Sequence, residues 1–95
     1  MTGTSRSSEG LTPERRRALI RAWRRGTREM DLVLGGFADA ALGSLSEAEF
    51  GEFEAILLEQ DADLMKWVLG EAPVPADRDT PLFRRIVASR SGREA

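Results

Sequence analysis

The chain has 95 residues, enough for one small domain with a modest core. Its apolar content of 41% and charged content of 32% suit a folded helical protein, and no apolar run approaches the length needed to span a bilayer. With neither Cys nor His, it lacks a thiolate nucleophile, the usual base near neutral pH and the commonest metal ligand, so any catalysis would rest on carboxylates alone and no enzyme is expected.

Charge is segregated along the chain. Residues 1–30 carry eight Arg against Glu9, Glu14 and Glu29, net +5. Residues 31–80 carry Lys66 and Arg78 against twelve acids, net −10, and residues 81–95 carry four Arg against Glu94, net +3. Such asymmetry suits steering onto a charged partner. The acidic middle argues against a regulator that binds nucleic acid through its basic first helix.

Residues 1–10 are rich in Ser, Thr and Gly and contain no apolar run. They read as a flexible tail on a cytoplasmic protein rather than a secretory signal. A single helical domain is expected over 11–91, with a second short tail at 92–95. Thr12, Pro13 and Glu14 form a helix start: cap, proline at the first position and an acid in the first turn. The helix should run to about Arg25, with Leu19, Ile20 and Trp23 on its inner face and Arg15, Arg16, Arg17, Arg21 and Arg24 over the rest. A second helix from about Arg28 to Ala41 carries Met30, Val33, Leu34, Phe37 and Ala41 at the spacing of a buried stripe. Gly35 and Gly36 inside it each cost about 1 kcal/mol against Ala. They either allow a close helix contact or a bend, or leave room for a partner's backbone.

Ser46 and Glu49 have capping-box spacing, with Leu45 and Phe50 placed as a hydrophobic staple. This third helix should reach about Glu59, with Phe50, Phe53 and Leu57 inward and a solvated face of glutamates. No spacing among them resembles a calcium loop, and no metal is expected. Asp61 should cap a fourth helix with Leu64, Trp67 and Val68 inward, ended by Gly70. Pro73 and Pro75 mark an extended linker. Thr80 and Pro81 start a fifth helix with Leu82, Phe83, Ile86 and Val87 inward, fraying by about Arg90. No stretch has strand periodicity. The expected fold class is all-α, a small compact bundle of about five helices, four of them packed and a terminal one that either packs loosely or extends.

The junction between the first two helices, Arg24-Arg25-Gly26-Thr27-Arg28-Glu29-Met30-Asp31, is a charged corner. Gly26 suits a left-handed backbone, Thr27 a cap, and Glu29 the positive end of the next helix dipole. Arg25-Gly26-x-x-Glu29 followed by Asp31 resembles the RGxxE signature of the small flavinylation factors of succinate dehydrogenase, the SdhE-type family. The similarity extends over roughly residues 12–72. It includes Leu45-Ser46-x-x-Glu49-x-x-x-Phe53-Glu54-x-Ile56-Leu57, and then Gln60-Asp61-x-Asp63-Leu64 leading to Trp67 and Gly70. Thr27 and Met30 stand where members more often carry larger or branched aliphatics, and the segment from Ala76 is not constrained by the likeness.

The resemblance implies an assembly factor rather than an enzyme. Such a factor binds the flavoprotein subunit of succinate dehydrogenase, and often that of fumarate reductase, and promotes covalent attachment of FAD to a histidine of that subunit. It also implies a partner-binding site at Arg25, Gly26 and Glu29, flanked by Arg24 and Asp31. There Arg25 can meet a partner carboxylate or a flavin phosphate, or simply pair with Glu29. No glycine-rich dinucleotide loop follows a strand, so FAD is not expected to be held tightly by this chain, and a monomer is expected. The alternative is a generic small helical interaction or regulatory module.

Overall fold

Thr12 sits in extended geometry, φ −64° and ψ 160°, and its Oγ1 accepts the Arg15 amide proton at 3.2 Å, so helix α1 begins at Pro13 and runs to Ala22. Pro13 at the first position has no amide proton to leave unpaired. The same hydroxyl capping opens three more helices. Thr27 accepts from the Met30 amide at the head of α2 (Arg28–Ala41). Ser46 and Glu49 close a reciprocal capping box on α3 (Glu47–Leu57), and Thr80 accepts from the Phe83 amide at the head of α5 (Pro81–Glu94). A 3₁₀ turn, Leu42–Ser44, links α2 to α3.

Helix α4 (Asp61–Leu69) starts differently. Gln60 holds its cap position without a side-chain bond, and Asp61, expected as the cap, is the first helical residue, with its carboxylate engaged elsewhere. Gly70, at φ 77°, turns the chain out of α4 so that the Glu71 amide reaches the Lys66 carbonyl at 2.8 Å. The computed structural model describes residues 10–94, and the expected tail lies outside them over residues 1–9. The described residues form five α-helices and no strand, the expected all-α bundle.

Helix α2 packs against α1 on one side and α5 on the other, and α3 closes the ring by touching both α1 and α5. Met30, Val33, Leu34, Phe37 and Ala41 are all buried, so the stripe read from spacing is the inner face of α2. Opposite it, Phe53 lies 6.1 Å from Phe37 between ring centroids. A fully buried Leu, Phe or Met of this kind contributes about 1.5–3 kcal/mol. Helix α5 is integral to the ring: Leu82, Phe83 and Ile86 are almost fully buried, and Trp67 of α4 stands edge-on to Phe83 at 6.4 Å. The helix runs on past Arg90 to Glu94, where the pattern suggested fraying.

Two residues of α1 exchange their expected places. Ile20, expected inside, is 53% exposed, whereas Arg15, expected outside, is buried. The Arg15 guanidinium donates to the Leu42 carbonyl at 2.8 Å, lies 3.5 Å from a Glu47 oxygen and stacks 4.9 Å from the Phe50 ring centroid. Leu42 carries one of the carbonyls left over where α2 ends, and the guanidinium satisfies it. Gly35 has an equally local reason. A Cβ there would stand 2.3–2.7 Å from the Trp23 ring, so the indole lies directly on the α2 backbone. The helix–helix contact, not a partner, occupies that space.

Candidate functional site

Helix α1 stops at Ala22, three residues short of Arg25. Trp23 takes the cap, φ −91° and ψ 0°, with its amide shared between the Leu19 and Ile20 carbonyls. Its indole Nε1 donates to Asp39 at 3.3 Å. Arg24 and Arg25 therefore lie beyond the last turn, where Arg21 is the cation facing the helix dipole. Arg25 turns its backbone amide toward Asp31, whose Oδ1 accepts it at 2.6 Å. Gly26 then adopts φ +106°, and Thr27 caps α2. A Cβ at Gly26 would meet nothing within 4 Å, so glycine is needed there for its backbone angle and not for space.

The Arg25 side chain points inward. Its Nε donates to Asp61 Oδ1 at 2.8 Å, one terminal nitrogen donates to the Leu57 carbonyl, and the other to the Glu59 carbonyl at 2.6 Å. Those carbonyls are where α3 runs out, and Asp61 begins α4. The planar fork thus supplies hydrogen bonds that the helix end cannot, and a cation where the α3 dipole is negative. Arg25 is 11% exposed and Asp61 24%. The same turn is held from its other side, because Glu59 accepts from Arg78 Nε of the proline linker at 2.6 Å. One guanidinium thereby locks the α1–α2 corner to the α3–α4 turn, more than thirty residues away in sequence.

What remains outward is a mixed surface. Arg24, Gly26, Thr27, Arg28 and Glu29 are exposed. Glu29, 51% exposed, lies 3.9 Å from Arg90 Nε of α5, so Arg25 and Glu29 pair with Asp61 and Arg90 rather than with each other. All five residues expected at the site, Arg24, Arg25, Gly26, Glu29 and Asp31, fall on this corner, but in two roles. Arg25 and Asp31 face inward and hold it, while Arg24, Gly26 and Glu29 face out. Asp61 and Arg90 belong to the same assembly and escaped the sequence reading. Asp61 looked like a helix cap by its position, and nothing in local spacing marks it as a partner for Arg25.

Two open clefts of about 260 Å³ and 370 Å³ lie along α3, one lined by Gly51, Ala55 and Arg78 and the other by Arg15, Glu47 and Phe50, and no corner residue lines either. Among the described residues no group of His, Asp, Glu or Cys is placed to hold a metal ion, and no helix is long and apolar enough to cross a membrane. What the residues build is an exposed, charged corner clamped from behind on a small helical protein.

Comparison with known proteins is consistent with that class and goes further. Residues 16–90 match the family described as flavinator of succinate dehydrogenase. The FAD assembly factor SdhE of Acetobacter pasteurianus is 37% identical over 81 residues, which span 85% of this chain and 74% of the relative. That of Haemophilus ducreyi is 38% identical over 66 residues, 70% of this chain and 80% of the relative. The mitochondrial succinate dehydrogenase assembly factor 2 of Dictyostelium discoideum is 31% identical over 72 residues, 76% of this chain but only 51% of that longer protein. No solved structure matches the chain significantly. The chain belongs to the succinate dehydrogenase flavinator family.

Proposed function

We propose that this protein is an assembly factor that binds the flavoprotein subunit of succinate dehydrogenase and promotes covalent attachment of FAD to it. Family membership supports the reading. The observation that carries it is the inward fork of Arg25. The fold commits three of its donor groups to holding one surface corner in a single shape, as expected of a surface preorganised for a partner.

In this reading the factor contributes no catalytic group and holds no FAD of its own. It binds the subunit and favours the arrangement in which flavin and histidine react, so the chemistry belongs to the partner and its flavin. Glu29 and Arg24 meet charges on the subunit, and Gly26 lets its backbone approach closely. Arg25 and Asp31 act as positioning residues. The factor works as a monomer in the cytoplasm, and the flavoprotein of fumarate reductase, chemically alike, is a second client.

The test is in-gel flavin fluorescence of the denatured subunit after co-expression with the wild-type protein, with Glu29→Ala, with Gly26→Arg, or alone. The wild type should raise the signal several-fold, and both variants should return it toward the level of the subunit alone while keeping their helical circular dichroism. A signal indifferent to the wild-type protein refutes the proposal and leaves a generic helical interaction module. A Gly26→Arg protein that unfolds would make the corner a purely structural feature.

A further inference from the structure

The arginines from Arg15 to Arg90 fall into two sets. Arg15, Arg25, Arg78, Arg84, Arg85 and Arg90 each stand in an ion pair. Arg16, Arg17, Arg21, Arg24 and Arg28 are exposed and form none among the described residues. Three of the second set, Arg16, Arg17 and Arg21, share one helix. At 100° per residue, Arg16, Arg17, Ile20 and Arg21 cover one arc of roughly 140° on α1, opposite the arc of Ala18, Leu19 and Ala22 that faces the core. Within this cationic arc sits Ile20, 53% exposed. Arg24, exposed two residues beyond the end of α1, follows the arc in sequence as the first residue of the corner.

We infer that the outer face of α1 is a second half of the docking surface, fitted to an acidic patch with a small apolar hollow on the flavoprotein subunit, the hollow receiving Ile20. This rests on the proposed function and extends it from the corner to a whole helix face. Three unpaired guanidinium groups around one aliphatic side chain, with Arg24 exposed just beyond the helix, match a protein surface of opposite charge better than the other anionic surfaces. A bilayer would need the apolar side of α1, and that side is buried against α2 and α3. A nucleic acid would be repelled by the remainder of the molecule, which carries net −10 over residues 31–80. Charge on the helix face acts mainly on the encounter rate, while Ile20, seated only after contact, acts on the lifetime of the complex.

The experiment measures association and dissociation rates of the purified flavoprotein subunit at low and high salt. The proteins compared are the wild type, the charge reversal Arg16→Glu/Arg17→Glu/Arg21→Glu, the neutral set Arg16→Gln/Arg17→Gln/Arg21→Gln, Ile20→Ser and Glu29→Ala. Reversal should slow association by about tenfold or more at low salt, with the difference shrinking as salt rises, and the neutral set should fall between. Ile20→Ser should leave association within about twofold and speed dissociation about five- to tenfold. Circular dichroism checks the fold, and the neutral set keeps the test valid if the reversal perturbs it. Unchanged rates and salt dependence in both arginine sets, with Glu29→Ala still abolishing flavinylation, overturn the helix-face inference and spare the proposed function. A wild-type protein that does not bind the subunit overturns both. Retained subunit binding in the arginine sets together with lost flotation on anionic vesicles would assign the face to a lipid surface instead.

Discussion

Replacing Arg25 by Lys keeps the charge and removes the fork, which separates the two roles an arginine at this corner can have. In the structure three donor groups serve three acceptors: Asp61, the Leu57 carbonyl and the Glu59 carbonyl. An ammonium group on a straight stem can satisfy one of them well and cannot span the set. Two partly buried acceptors then turn to water, at a cost of about 1–1.5 kcal/mol each from typical hydrogen-bond contributions. The Asp61 pair is only partly screened at 11% and 24% exposure, so its loss adds up to about 1 kcal/mol. The sum, about 2–4 kcal/mol, is a large part of the roughly 5–14 kcal/mol expected for a domain of this length. It should lower Tm by about 10–30 °C. Thermal unfolding by circular dichroism gives the stability, and in-gel flavin fluorescence gives the function. A variant with Tm within about 3 °C of the wild type and no flavinylation would refute the reasoning, because Arg25 would then act outward on the partner and not inward on the fold.

Two further outcomes follow from the same geometry. Gly35→Ala gains about 1 kcal/mol of helix propensity but drives a methyl group into the Trp23 indole at 2.3–2.7 Å. Overpacking of that kind costs about 1–3 kcal/mol and expulsion of the ring more, so the variant should melt about 5–15 °C lower with altered near-ultraviolet dichroism; a raised Tm would contradict the close contact. The Glu49 carboxyl is held below its usual range, first by the Ser46 amide that donates to it, then by the Ser46 hydroxyl and Arg85. A depressed value in the folded state means stabilisation that is present above the unfolded pKa and is lost as pH falls through the folded one. Glu49→Gln should therefore be less stable than the wild type near pH 7 and converge with it toward pH 3 in urea titrations, and a gap that persists at pH 3 would count against the capping box as its source.

Local chemistry made most of the fold readable. Thr12, Thr27, Ser46 and Thr80 each begin a helix where a hydroxyl can take up a free amide, and the α2 stripe names its own buried face. Three of the errors, at Arg15, at the end of α1 and at Asp61, share one cause, a bond to a distant partner. Arg15 looks like its neighbours in spacing and is singled out only by the Leu42 carbonyl and the Phe50 ring, 27 and 35 residues on. Helix α1 was read three residues too long because Arg24 and Arg25 continue a plausible helical pattern, and only the reach of Arg25 to Leu57, Glu59 and Asp61 takes the chain out of it. Asp61 was misread as a cap for the same reason. At the site, the signature residues were legible as a group, but which faced in and which out depended on a turn elsewhere in the chain.

The Arg25 lock also sets an order of events for the folding chain. Its acceptors lie 32 to 36 residues downstream, so α1 and α2 can form early through local contacts while the corner between them is still unshaped. Only when α3 has ended and α4 has begun do Leu57, Glu59 and Asp61 exist in the positions that draw Arg25 inward. A nascent or truncated chain that stops before residue 61 carries Arg25, Gly26 and Glu29 in its sequence and does not display them in this geometry. The corner thus takes its final shape only once the chain has been made as far as the start of α4.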